Sequence, residues 1–247
     1  MILSHNQALT NNVFETSGAL CQHIAGRHNT VILSFSRGKD SIAAWLQLLR
    51  FGVKVIPVHL WFVPGISFVE ESLKYYADHF RAKIYDLPHP SVCRWLRNFT
   101  FQSPENLHII EQAKLRPVDY DELFAYVRRT EGLPADTPVA VGVTRNDSLN
   151  RRATIKTHGP FNRKRNQFYP IFDWNKARIL AEVAPVGLPV DYQMFGRSWD
   201  GLDYRFLKPI HDTYPADYDR ILEVFPMAEI ELLRMEWRAA HGTQRSE

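Results

Sequence analysis

Cysteine is nearly missing from this chain: there are two among 247 residues, Cys21 and Cys93. A disulfide framework is thereby set aside, and a reducing, cytoplasmic setting is the expectation. No iron–sulfur cluster is expected either, because two thiols cannot supply four thiolate ligands. Long apolar runs are also missing, so no membrane span or membrane partner is expected. The opening segment, Met1 to Asn12, is polar and lacks a secretory hydrophobic stretch. Surplus charge is slight, a formal +3, so the overall field does not announce a nucleic-acid binder. No repeat or low-complexity tract breaks the chain. The length suits one large α/β domain with a proper core.

What is present is an alternation of strand and helix patterns. Helices are predicted over 14–25, 42–49, 67–80, 119–130 and 175–184, and strands over 31–35, 53–60, 83–87, 138–143 and 168–172. Ser67 reads as an N-cap with Glu70 closing a capping box. Residues 185–215 read as loop-rich, and 217–240 as a helical region broken near Pro226. Such alternation predicts a doubly wound, mostly parallel five-stranded α/β sheet with helices on both faces and a helical C-terminal region. The expected division is a nucleotide-binding domain over 1–185 and an extension over 186–247. Ligands of such sheets sit at the carboxyl ends of the strands. That rim would hold the 34–41 turn, His59 and the 144–152 segment.

The most telling stretch is Val31-Ile-Leu-Ser-Phe-Ser-Arg-Gly-Lys-Asp-Ser41, followed by the apolar Ile42 to Leu49. A strand, a tight polar turn and a helix start together make an anion site, where free N–H groups and the helix dipole converge. Lys39 adds a full charge. A Walker A loop is excluded, because Asp40 separates Lys39 from Ser41. A simple capped helix start is the plain alternative.

Ser36-Arg37-Gly38-Lys39-Asp40-Ser41 resembles the PP-loop, usually Ser-Gly-Gly-Lys-Asp-Ser, of the ATP pyrophosphatase (adenine nucleotide alpha-hydrolase-like) superfamily. Arg37 replaces the first glycine. It would add a phosphate contact, or crowd the loop if the backbone there needs φ > 0. Downstream, Gly142-Val-Thr-Arg-Asn-Asp-Ser-Leu-Asn-Arg-Arg152 is similar to an element of the phosphoadenosine phosphosulfate (PAPS) reductase branch: Gly-x-Arg, an acid and Ser, then Arg. Gly142, Arg145, Asp147, Ser148 and Arg151 or Arg152 match, with Arg145 one residue late. Tyr169-Pro-Ile-Phe-Asp-Trp174 looks like that branch's Pro-Ile-x-Asp-Trp, with Asp173 as the N-cap of the next helix. Between Arg145 and Arg165 lie seven Lys or Arg residues and one acid, Asp147.

The resemblance implies an enzyme that binds ATP and cleaves it between the α and β phosphates, adenylating an acceptor and releasing pyrophosphate. Backbone N–H groups, Ser34, Ser36, Arg37, Gly38, Lys39 and Ser41 would hold the phosphates. Lys39, Asp40, Arg145 and Arg151 would carry the chemistry, and Asp40 would also contact Mg²⁺ indirectly. His59 would meet the base or ribose, a packed strand-end histidine being the alternative. Gly142, Asp147, Ser148 and Arg152 would complete the nucleotide site.

The branch's reductases use a cysteine in a C-terminal tail, and His241 to Glu247 has none. Two other readings therefore stand beside the first. One is a sulfonucleotide-binding, PAPS reductase-like protein without the usual cysteine. The other is a non-enzymatic nucleotide- or nucleic-acid-binding module that contacts nucleic acid through 145–165. Besides nucleotide and acceptor, a second copy of the chain is a candidate partner.

Overall fold

The computed structural model describes residues 14–241. The polar Met1 to Asn12 segment and the tail beyond His241 lie outside the described residues. The chain enters through α1 (Ser17–Ala25), whose N-cap Thr16 accepts a hydrogen bond from the Ala19 N–H. β1 (Thr30–Ser34) follows, then α2 (Lys39–Arg50), β2 (Lys54–Trp61), α3 (Ser67–Phe80) and β3 (Tyr85–Pro88). α4 (Pro90–Arg97), α5 (Leu107–Ala113) and α6 (Tyr120–Thr130) precede β4 (Val139–Val141). Next come α7 (Leu149–His158), β5 (Phe161–Asn162), β6 (Gln167–Phe168) and α8 (Lys176–Val183). The described chain closes with α9 (Val190–Phe195), α10 (Tyr204–Thr213), α11 (Pro215–Val224) and α12 (Glu229–His241).

The sheet has six strands in the order β3-β2-β1-β4-β6-β5. β1 pairs in parallel with β2 and β4, and β4 in parallel with β6. The chain builds outward from β1 through β2 to β3, then returns to add β4 on the other side of β1. That reversal is the mark of a doubly wound sheet and creates a crevice at the ends of β1 and β4.

The expected fifth strand, 168–172, is corrected in two ways. Only Gln167 and Phe168 pair with β4, and Tyr169 to Phe172 form a turn. The sixth strand is β5, antiparallel to β6 across Phe161↔Phe168. Apolar content at 168–172 reflects burial, not extension: Phe168, Ile171 and Phe172 are all core residues. The loop-rich reading of 185–215 is likewise corrected, since α9 and α10 occupy much of it. The break near Pro226 separates α11 from α12 as expected.

The chain forms two compact units. Among the described residues the first comprises 14–59, 77–85 and 124–188; the second comprises 60–76, 86–123 and 189–241. This division is discontinuous, unlike the single cut after 185 read from the sequence. In the first unit Trp45 stacks on Phe80 with ring centroids 4.1 Å apart and meets Phe35 edge-on at 5.1 Å. In the second, Phe62, Phe68, Trp199, Phe206, Ile221 and Phe225 share one apolar cluster. Within that unit Asp217, buried, accepts from the Ser67 N–H at 2.8 Å and from its hydroxyl at 2.7 Å. Ser67 is thus the first helical residue of α3, tied to Asp217, and not the N-cap of a capping box.

Candidate nucleotide site

Every element of the site lies in the first unit. β1 carries Val31, Ile32 and Leu33 into the core, which fixes where its carboxyl end stops. The Phe35 N–H bonds to the Val58 carbonyl at 2.8 Å, and the chain then leaves the sheet. Arg37 turns it through φ 63°, and Gly38, in an extended conformation, is the N-cap of α2 without a capping side chain. The loop is closed by its own hydroxyls. Ser36 Oγ donates to Ser41 Oγ at 3.3 Å and receives the Gly38 N–H at 3.4 Å. Ser41 Oγ donates to the Gly38 carbonyl at 2.9 Å. The Ser41 and Ile42 N–H groups bond to the Gly38 carbonyl at 3.0 and 3.1 Å, which leaves the N–H groups of Lys39 and Asp40 as the ones without an acceptor in the helix.

Lys39 Nζ donates to Asp40 Oδ2 at 2.5 Å. The other oxygen, Oδ1, is buried and has no hydrogen-bond partner. Burial pushes the Asp40 carboxyl above its ordinary value; Lys39 pulls it down and the nearby Asp147 charge pushes it up. A carboxylate held this way lacks a counter-charge on one side.

Gly142, directly after β4, packs on the first turn of α2. A Cβ there would lie 2.6 Å from the Asp40 carbonyl carbon and oxygen and 2.7 Å from the Ser41 nitrogen. Its role is therefore close backbone approach. The following segment is tied down by Asp147, whose carboxylate takes the Thr144 N–H at 2.8 Å and the Thr144 hydroxyl at 2.7 Å. Arg145 is exposed, and its N–H bonds to the Phe172 carbonyl at 2.9 Å. Ser148 is the N-cap of α7, accepting the Arg151 N–H at 3.1 Å. Arg151 is exposed on the first turn of α7. Arg152 reaches back to Asn146 Oδ1 at 3.4 Å.

Two expectations change. Arg37 is 1% exposed, and its Nε donates to His59 Nε2 at 3.3 Å. Its side chain runs into the interior and is no open phosphate contact, while the backbone does need φ > 0. His59, at 5% exposure, is packed at the strand end, with Nε2 accepting from Arg37. Asp173 is also reassigned. Asn175, not Asp173, caps α8 by accepting the Arg178 N–H at 2.9 Å. Asp173 instead accepts from the Ser17 N–H at 3.2 Å and from the Ser17 hydroxyl, at the start of α1.

Thr144 and Asn146 went unnoticed in the sequence, although Thr-x-x-Asp is a turn signal. α7 was missed because it has almost no apolar face: Ile155 is buried and Leu149 is 81% exposed. Its signals were the Ser148 cap and Gly159, at φ 74°, after its end.

No protein-family model matches the chain, and no curated protein matches its sequence. Among solved structures it is similar to an NH3-dependent NAD synthetase from Campylobacter jejuni in complex with the nitrate ion, at 13% identity. The match covers 90% of this chain and 94% of that one, with a TM-score of 0.41. A likeness at that level identifies no family.

Among the described residues no helix is long and apolar enough to cross a membrane. Nor do three His, Cys, Asp or Glu side chains gather as metal ligands there. Mg²⁺ commonly uses one or two carboxylates together with substrate phosphates. The orphaned Asp40 Oδ1 fits that mode.

Proposed function

We propose that the chain is a PP-loop nucleotide enzyme that binds ATP at the 36–41 turn and transfers its adenylyl group to an acceptor. The observation that carries this reading is the loop itself. At the carboxyl end of β1, beside the strand-order reversal, a hydroxyl-closed turn opens a helix whose first residues are Lys39 and Asp40. The N–H groups of that first turn and the Lys39 ammonium would bind phosphate oxygens. Ser36 and Ser41 would exchange their mutual hydrogen bond for bonds to the same oxygens. Lys39 would leave Asp40 for the phosphate chain. Asp40 would hold Mg²⁺ together with the phosphates, and the ion would neutralise charge on the departing pyrophosphate.

An acceptor oxygen would attack the α-phosphorus. The bond from that phosphorus to the bridging oxygen breaks, and pyrophosphate leaves with the electron pair. A second nucleophile would then displace AMP. Arg145 and Arg151, exposed after β4, would stabilise the charge that develops; positioning and electrostatics would do most of the catalysis.

The sulfonucleotide-reductase alternative finds little support at Cys21. Burial pushes that thiol up to about 12, so little thiolate exists at neutral pH. The decisive measurement is calorimetric titration with ATP and Mg²⁺, paired with pyrophosphate release across candidate acceptors. Lys39→Ala should lower turnover by about 10²-fold. An intact, folded chain with no affinity for ATP would sink the reading; tighter binding of adenylyl sulfates than of ATP would favour the alternative.

A further inference from the structure

The near-neutral balance of the chain conceals two opposite ones. Among its described residues the first unit holds 18 Lys and Arg against eight Asp and Glu, a formal +10. The second holds 11 against 18, a formal −7. In the second unit cations sit beside acids close in sequence: Arg197 with Asp200, Lys208 with Asp212, Arg220 with Glu223. The first unit's surplus is concentrated in one place. Seven of its cations fall between Arg145 and Arg165, and Asp147 is the single acid of that stretch. All seven are exposed, and none has an ion pair among the described residues. Acids of the same unit are held elsewhere: Asp147 by Thr144, Asp173 by Ser17 and Glu182 by Arg50.

Local structure explains how these charges share a surface. Arg145, Arg151 and Arg152 follow the carboxyl end of β4, before and within the first turn of α7. Lys156 lies one turn on from Arg152, about 6 Å along the helix axis. β5 then carries the chain back along the sheet, pairing Phe161 with Phe168 and Asn162 with Gln167. It stands last in the strand order, so it is an edge. Arg163, Lys164 and Arg165 occupy the turn between β5 and β6. Asn166 fastens that turn to the amino end of β4: its Nδ2 donates to the Asp136 carbonyl at 2.8 Å, and its carbonyl accepts the Val139 N–H at 2.9 Å. The end of α1 adds to the same field. His23 is held below its ordinary value, by burial first and then by the charges of Arg27, Arg163 and His28. Positive residues thus border the β5 edge from the carboxyl side of the sheet to its amino side.

Unanswered charge of one sign works against a compact fold through self-repulsion. Lys and Arg at an open edge do prevent stray strand pairing, but a strand of two residues has little edge to protect. What such a surface accommodates is a partner of opposite sign. Five of the seven cations are Arg, whose planar fork fits phosphate by paired hydrogen bonds. Leu149 is the one exposed large apolar side chain in 145–165, so the stretch lacks the apolar face that sinks into a lipid surface. No aromatic ring is exposed there to stack on bases. The contact therefore falls on phosphates.

We infer that this edge of the first unit docks the sugar–phosphate backbone of a nucleic acid without reading its sequence. The inference does not rest on the ATP reading of the 36–41 loop. Single strands and duplexes offer the same phosphate chemistry.

The experiment titrates the full chain, without ATP, against short labelled single strands and duplexes of mixed sequence, between about 50 and 200 mM salt. Wild type is compared with the quadruple variant Lys156→Gln, Arg163→Gln, Lys164→Gln, Arg165→Gln, and with Arg205→Gln, Lys208→Gln in the second unit. Wild-type affinity should fall about 10³-fold across that range, as for six or more phosphate contacts. The quadruple variant should lower the slope of log affinity against log salt by about 3. The second-unit variant should keep the wild-type slope. All four substituted side chains are exposed, so the quadruple variant should melt as wild type does. The form bound more tightly, single strand or duplex, identifies the source of the phosphates. No binding, or binding whose slope is unchanged in the quadruple variant, overturns the inference and leaves the loop reading intact. Binding to phosphatidylserine vesicles in place of nucleic acid, or salt-sensitive self-association in its place, overturns it too, assigning the edge to a lipid surface or a second copy.

Discussion

Arg37 is the residue where the loop departs most from its own conformational needs. At φ 63° a residue with a Cβ is disfavoured by about 1–2 kcal/mol. The bond to His59 offsets part of this. Arg37→Ala keeps the steric penalty and loses the bond; Arg37→Gly loses both. Urea unfolding should therefore rank the glycine variant above the alanine variant by about 1 kcal/mol, the reverse of the usual order. Gly142→Ala should destabilise by about 1–3 kcal/mol, because its Cβ meets backbone that cannot move without shifting α2. Asp40 sets a pH dependence. Its carboxyl is raised in the fold, chiefly by burial, so the folded chain binds this proton more readily than the unfolded one. The penalty is absent below the ordinary carboxylate range, and stability is lost as pH rises from there through the raised value. Thermal melts of Asp40→Asn should exceed wild type at pH 7, with the gap closing in acid. An unchanged gap across that window would show that Asp40 carries no such penalty.

Two helix starts among the described residues are secured by residues distant in sequence. Asp173 serves the start of α1 through Ser17, and Asp217 serves the start of α3 through Ser67. Local spacing suggested otherwise in both places: Asp173 stands just before α8, and Ser67 three residues before Glu70. Asn175 and Asp217 won because capping needs an oxygen aimed at the open N–H groups, and aim depends on where the chain has folded. The prediction concerns coupling. Asp173→Ala and Ser17→Ala should be non-additive by about 0.5 kcal/mol or more in a double-mutant cycle. Asn175→Ala should cost about 1 kcal/mol, as for an ordinary N-cap, and add independently to Ser17→Ala.

The two units are threaded through one another along the sequence, with boundaries inside β2, α3, β3 and α6. No single cut releases either intact. Removing 189–247 would strip Trp199, Leu202, Phe206, Leu207, Ile210, Tyr218, Ile221 and Phe225 from the second unit's core. Phe62, Val63, Ile66, Phe68 and Val92 would be left without that cover. A chain ending at Leu188 should bind a hydrophobic dye strongly and lose cooperative thermal unfolding, as apolar surface of this extent does not stay soluble and ordered. A sharp melt from the truncated chain would refute the mutual dependence.

Periodicity and turn chemistry made the main frame legible. The apolar run Val31–Phe35 reads as a buried strand, and the polar Ser36 to Ser41 turn before an amphipathic segment as a loop opening a helix, and both are found. The same signals place β2, α3, α6 and the break at Pro226 within a residue or two. They failed where a segment's partners lie far along the chain. Phe168 to Phe172 is apolar whether it pairs or merely packs, so its strand was overdrawn. α7, polar on nearly every face, offered no period to read. The fates of Arg37 and His59 depended on β1 and β2 lying side by side, since only that pairing brings an interior histidine to the loop's one left-handed residue. Chemistry of single residues is written in their types; which of them meet follows from the long-range packing that closes the fold.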